Sequence, residues 1–320
     1  VSMGTGSSAS RPFAAVFGLG EEGRRGPTLG SLLLPGSVKD SWRLIIASPL
    51  RVEAFDAQTA QELPLDDAAV TKAIQDHAPF TACSASEPGE RLALGCQDGT
   101  VLVFSVSGGV VSGPLRELRI DHAEAEAVAT ADDGDIGRVA MGVTVLLLIG
   151  QDCLYSGSSG RCAFWDLSSG KLQREFALPG GSGEQALVPS TLALVEVGEE
   201  SVGSSGKFLW VGMDNGAIAV FDIETGILAR SFSCAGPESL VSLAYFPVDG
   251  VVFALSAHRR VSVWDAASYA CIQKYPAELM TCGADLTTMI SCSVRDPDMN
   301  LVMLAGIDGS LCVRRVARRA

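Results

Sequence analysis

One phrase recurs along this chain: a short apolar strand, a small polar turn, a second alternating strand ending in an aromatic residue and often Asp, then another polar turn. The clearest copies are CLYSGSSGRCAFWDLSSGKLQREF, FLWVGMDNGAIAVFDIETGILARSF and VFALSAHRRVSVWDAASYACIQKY. Three further copies are RLALGCQDGTVLVFSVSGG, LVMLAGIDGSLCVRRVA and RLIIASPLRVEAFDAQTAQEL. Aligned on the aromatic, Phe55, Phe104, Trp165, Phe221, Trp264 and Arg314 fall in register, at separations of 49, 61, 56, 43 and 50 residues. A unit of this size cannot bury its apolar faces alone, so neighbouring copies must stack on one another. The 320 residues are therefore read as one all-β domain rather than two mixed ones.

Six residues before each anchor stands a turn residue: Pro49, Asp98, Ser159, Asn215, His258 and Asp308. At three of these the turn reads Asp98-Gly99, Asn215-Gly216 or Asp308-Gly309. That chemistry predicts two-residue hairpins with both central residues at positive φ. The strands on either side are nearly all apolar, as expected of sheets covered on both faces.

The dipeptides Trp165-Asp166 and Trp264-Asp265, with Phe55-Asp56 and Phe221-Asp222 as conservative variants, resemble the signature of WD40-repeat proteins. The resemblance runs over roughly residues 12 to 316, with spacings near or above the roughly 40–45 residues of that repeat. It implies a six-bladed β-propeller of four-stranded antiparallel blades. The last copy lacks a fourth strand, and PFAAVF at Pro12 to Phe17 is expected to pair beside Leu311 to Val316 and close the ring. On this reading residues 1–11 are a disordered tail, 12–317 a single propeller domain, and 318–320 a tail through which a fragment continues into a longer chain. The family's Gly-His dipeptide is absent from every repeat, and the chain has only His77, His122 and His258. Its buried His-Asp-Ser-Trp hydrogen-bond network is therefore not expected, which leaves apolar packing to hold the blades. Trp165, Phe221 and Trp264 are read as wedges between them.

Four inter-blade or intra-blade connections are long. Pro64 to Pro79 contains DDAAVTKAIQDH, in which Asp66 or Asp67 can cap a short helix with Val70 and Ile74 on one face. Arg119 to Met141 is strongly acidic and reads as a mobile flap, while Pro179 to Pro189 and Val197 to Gly206 read as flexible loops.

Composition narrows the functional classes. With 47% hydrophobic residues the chain can bury a core, and a net charge of −13 argues against nucleic acid or anionic membrane as main partners. The longest apolar run, Val143 to Gly150, is less than half of the roughly 18 residues that cross a bilayer. Nine scattered cysteines without a C-x-x-C pair read as reduced core thiols of a cytoplasmic protein.

Each candidate chemistry meets an obstacle. Gly18, Gly20 and Gly23 form a G-x-G-x-x-G pattern, but Gly26, Pro27 and Gly30 forbid the helix that a dinucleotide site requires. The three histidines lie in polar loops by sequence, so a catalytic triad would need distant loops to converge. No His or Cys pair has metal-ligand spacing, and the acidic flap (Asp121, Asp132, Asp133, Asp135) lacks the terminal Glu of a calcium loop. No catalytic residue, cofactor or metal is therefore expected. The string GRRG at Gly23 to Gly26 superficially resembles the paired-Arg motif of phosphoinositide-binding propellers, though not at that motif's place in the fold.

The sequence is thus read as a non-catalytic protein–protein interaction platform, the scaffold domain of a larger signalling, trafficking or assembly protein. A protein or peptide partner is expected on the loop-bearing face, near Asp98, Asn215, His258, Arg259, Arg260 and Asp308. Face stacking into a homodimer is also compatible with it. Two alternatives stay open: a phosphoinositide-binding propeller, and a propeller hydrolase with its site at the central channel.

Overall fold

The computed structural model describes residues 30–35, 42–56, 59, 61–63, 65, 67–86, 90–107, 110–119, 142–180, 186–198, 206–234, 236–276, 286–292, 299–306 and 311–317. They form six antiparallel sheets laid out in chain order. The first holds β1 (Gly30–Pro35), β2 (Trp42–Ser48), β3 (Arg51–Asp56) and the short β4 (Glu62–Leu63). The second holds β5 (Phe80–Ala85), β6 (Arg91–Cys96), β7 (Thr100–Ser107) and β8 (Val110–Arg119). The third holds β9 (Val145–Ile149), β10 (Cys153–Ser158), β11 (Arg161–Asp166) and β12 (Lys171–Ala177). The fourth holds β13 (Pro189–Val197), β14 (Gly206–Met213), β15 (Ala217–Asp222) and β16 (Leu228–Ser233). The fifth holds β17 (Leu240–Phe246), β18 (Val251–Ser256), β19 (Val261–Asp265) and β20 (Cys271–Tyr275). The sixth holds β21 (Leu286–Cys292), β22 (Met299–Gly306) and β23 (Leu311–Ala317).

Within every sheet each strand pairs with its sequence neighbours, so each sheet is a meander. All six anchors of the repeat lie on third strands. The first strand of each sheet lies against the first strand of the next, in unbroken order from β1 through β21. The chain is all-β, and α1 (Ala68–His77) is the one helix among the described residues. None of these residues forms a helix long and apolar enough to cross a membrane.

The core of the first five sheets is a series of apolar layers, one between each neighbouring pair. Successive residues of a strand point to opposite faces, so one strand feeds two layers. On β14, Phe208 and Trp210 pack towards the fifth sheet, while Leu209 and Val211 pack towards the third. On β18, Val252 and Ala254 face the fourth sheet, and Val251, Phe253 and Leu255 form the opposite layer. The second strands are accordingly buried almost throughout, whereas the fourth strands β16 and β20 are mostly exposed. Close approach at one layer demands glycine: a Cβ on Gly157 of β10 would lie 2.7 Å from Pro189 Cγ of the next sheet.

The helix follows its sequence signal. Asp67 is the cap, its Oδ1 accepting from Ala69 N–H at 2.8 Å, and Val70 and Ile74 are buried. Its Oδ2 accepts from Gly113 N–H at 3.2 Å, which ties the helix to β8. These backbone donors, Ala69 before Gly113, hold the Asp67 carboxyl below its ordinary range.

The Asp that follows the aromatic anchor has a repeated local task. Asp56 accepts from the backbone and hydroxyl of Thr59, Asp222 from those of Thr225, and Asp265 from those of Ser268. Asp166 accepts from both Ser168 and Ser169, which lowers its pKa to about 2. Each carboxylate thus closes the turn between third and fourth strands.

One expectation needs correction: the described turns at Asp98-Gly99 and Asn215-Gly216 are not two-residue loops with both central residues at positive φ. Gly99 and Gly216 are at φ 86° and 78°, whereas Asp98 and Asn215 are not among the described positive-φ residues. The Gly99 and Gly216 amides bond back to Cys96 and Met213 carbonyls at 3.2 and 3.1 Å. This is a three-residue loop, in which a tight turn precedes one left-handed glycine. The side chains explain the choice: Asp98 Oδ1 and Asn215 Oδ1 accept from the amides of Thr100 and Ala217, which suits the right-handed conformation.

Two tryptophans find serine partners. Trp165 donates its indole N–H to Ser156 Oγ, and Trp264 donates to Ser262 Oγ, both at 2.9 Å. Ser156 on β10 faces Ala163, two residues from Trp165 on the same face of β11, so the pair meets diagonally. Trp210, buried in the middle of β14, leaves its own indole N–H without a partner.

The proposed closing strand at Pro12 to Phe17, the GRRG string, Asp308, and most of the acidic and flexible loops lie outside the described residues. Cys83, Cys96, Cys153, Cys162, Cys234 and Cys271 are free thiols; Cys96, Cys162 and Cys234 are buried, and Cys271 is exposed.

Candidate functional site

In the second to fifth sheets one end carries the turn between second and third strands, and the segment entering the first strand arrives there too. A backbone bond joins the two in three sheets. Gln97 N–H donates to Pro79 O at 3.0 Å, Asp214 N–H to Val188 O at 3.0 Å, and Ala257 N–H to Ser239 O at 2.9 Å. The entry and the turn are thereby locked together, and side chains on both are brought within reach.

In the second sheet the entry supplies His77, the last residue of α1. Its Nδ1 lies 3.6 Å from Asp98 Oδ2 and its Nε2 lies 3.6 Å from Glu117 Oε1 of β8. Sequence reading placed this histidine in a polar loop; its side chain is instead only 20% exposed, held between two carboxylates. Partial burial pushes the Asp98 pKa up, but the hydrogen bond from the Thr100 amide and the nearby His77 imidazole outweigh it and leave the carboxyl below its ordinary range.

In the fifth sheet the polarity is exchanged. The entry supplies Glu238, only 14% exposed, and the turn supplies His258 and Arg260. Arg260 Nη1 lies 2.9 Å from Glu238 Oε1, and His258 Nδ1 lies 3.7 Å from Oε2. Ser256 at the end of β18 donates its hydroxyl to the same carboxylate at 2.9 Å. Arg259 occupies the left-handed position, at φ 65°, where the second and fourth sheets have glycine. A non-glycine residue there carries backbone strain.

The residues singled out from sequence therefore do not converge on one cluster. His258, Arg259 and Arg260 share one turn. Asn215 occupies the corresponding turn one sheet earlier, and Asp98 the one three sheets earlier. They form a row of equivalent positions at the same end of successive sheets. Glu238 and His77 complete two of these positions and were not legible as partners, because neither is near its turn in sequence.

Between the fourth and fifth sheets the same end opens into a cleft of about 460 Å³. Arg260 and Lys274 contribute the cations, Pro276 an apolar edge, and Ser262 and Cys234 the floor. Cys234 Sγ lies 2.8 Å from Ser262 Oγ, which already receives the Trp264 indole N–H. Burial raises the thiol pKa, against the opposing hydrogen bonds from Ser262 and Trp264, so the sulfur stays neutral.

Among the described residues no group of three or more His, Cys, Asp or Glu is gathered to hold a metal ion. No protein-family model matches the sequence, and no curated protein matches it.

Proposed function

We propose that the chain is a six-bladed β-propeller of the WD40 type, acting as a non-catalytic protein–protein interaction platform. The serial order of the sheets supports the architecture. Each sheet is a meander, its first strand lies against that of the next, and apolar layers separate the first five sheets. Rings of such sheets are rigid, because every blade needs both neighbours to cover its faces.

The observation that carries the functional reading is the row of charged turn and entry positions along one end of the sheets. His77, Asp98 and Glu117 in one sheet and Glu238, His258 and Arg260 in another present both charge signs on a fixed frame. Such a surface selects partners by charge complementarity and resists adapting to a wrong one. The free thiols fit a reducing, cytoplasmic setting.

The test is affinity purification from the native organism with mass spectrometry, wild type against an Arg259→Glu/Arg260→Glu double variant of unchanged melting temperature. A stoichiometric protein partner lost in the variant is the expected result. A wild-type bait that retains no specific protein refutes the platform reading.

A further inference from the structure

We propose that the cleft between the fourth and fifth sheets binds an acidic peptide segment, seating one carboxylate side chain between Arg260 and Lys274. The proposal rests on the platform reading and names the chemistry of the partner.

Three features of the cleft point to this ligand. First, its charge is exceptional: the chain carries a net −13 and only five lysines, yet one of them stands here beside an arginine. Second, the two cations are differently occupied. Glu238 bonds one terminal nitrogen of the Arg260 guanidinium, which leaves further donors of a five-donor group that is already oriented. Lys274, exposed on β20, has no carboxylate partner among the described residues. Third, the neutral Cys234 thiol and the Ser262 hydroxyl bring no negative charge to the floor.

The apolar part of the lining favours a peptide over a bare anion. Exposed Pro276, which follows β20, offers contact to aliphatic atoms adjoining the carboxylate. The volume, about 460 Å³, falls in the range of roughly 300–1,000 Å³ typical of ligand clefts. Glu238, the one acidic group paired with the lining, disfavours a doubly charged phosphate more than a single carboxylate.

The experiment is selection of a random octapeptide phage library on the full chain, followed by affinity measurement of the selected peptides by fluorescence anisotropy. Enrichment of Asp or Glu flanked by apolar residues is expected. Lys274→Glu should weaken binding at least tenfold, and Arg260→Gln should weaken it measurably. Arg161→Glu, on the third sheet, should leave it unchanged. Lys274 lies on an exposed edge strand, so its substitution keeps the test valid if Arg260→Gln disturbs the fold.

Selected peptides without an acidic signature, or binding indifferent to Lys274→Glu, overturn the proposal. Selection of phosphate-dependent binding alone, displaced by inorganic phosphate, overturns it as well. If a native partner is purified while the cleft variants bind peptides like wild type, the cleft assignment falls and the platform reading stands. If no partner is retained in the purification, the platform reading falls.

Discussion

At the end of the second sheet, the entering segment brings the imidazole of His77 to a turn carboxylate, Asp98. At the same end of the fifth sheet, the entering segment brings the carboxylate of Glu238 to a turn bearing His258 and Arg260. Beneath both lies the same backbone bond, Gln97 to Pro79 in one and Ala257 to Ser239 in the other. The comparison separates two roles that are easily merged. The backbone bond sets where entry and turn meet, and it is indifferent to side-chain charge. Which partner carries the negative charge is then a free choice, and it decides what the surface shows. A turn that displays an anion in one sheet displays cations three sheets later, on an unchanged frame.

The comparison breaks most visibly at Glu238. Glu238→Ala strips the acceptor from Ser256 and Arg260, and urea unfolding should show a loss of about 2 kcal/mol. Glu238→Lys should cost more, and adding Arg260→Glu should recover over half of that loss, since the swap gives the fifth sheet the polarity of the second. Failure of the double variant to recover anything would mean that the two ends are not equivalent frames.

The left-handed turn position gives a smaller effect of opposite sign in the two sheets. Gly99→Arg places a side chain at φ 86° and should destabilise by about 1–2 kcal/mol. Arg259→Gly relieves the strained residue at φ 65° and should leave stability unchanged or raise it by up to about 1 kcal/mol. A marked loss on Arg259→Gly would show that the contacts of this arginine outweigh its backbone strain.

Acid titration gives the smallest signal. The folded Asp98 carboxyl lies below its unfolded value, so its contribution is complete above about pH 4 and is lost as pH falls through the folded value. Asp98→Asn should flatten the acid limb of a stability–pH curve. Asp166, lowered to about 2 by its serine hydrogen bonds, should extend the acid loss from near pH 4 down to near pH 2, a stretch that Asp166→Asn removes.

Much of the frame was legible because strands write their two-residue period into the sequence and anchors recur along it. The third strands, the capped helix at Asp67 and the apolar second strands all follow from local pattern. The turn class was misread because Asp-Gly suits two loop types. The side-chain bonds from Asp98 to Thr100 and from Asn215 to Ala217 choose between them, and they appear only once the backbone is placed. The His77–Asp98 pair, separated by a helix end and two strands, left no local signal; nor did the cleft, whose cations come from different strands. Lys274 had one faint mark, its rarity in a chain of few lysines.

The burial of each second strand on both faces has a consequence for how such a chain tolerates change over time. A substitution on β14 or β18 is felt by two apolar layers at once, whereas one on β16 or β20 mostly meets water. Saturation mutagenesis scored by folded yield should therefore trace a stripe of intolerance along second and third strands and permissive stretches along the fourth. Change at the fourth strands, Lys274 among them, costs the core least, so new surface chemistry is most easily carried there.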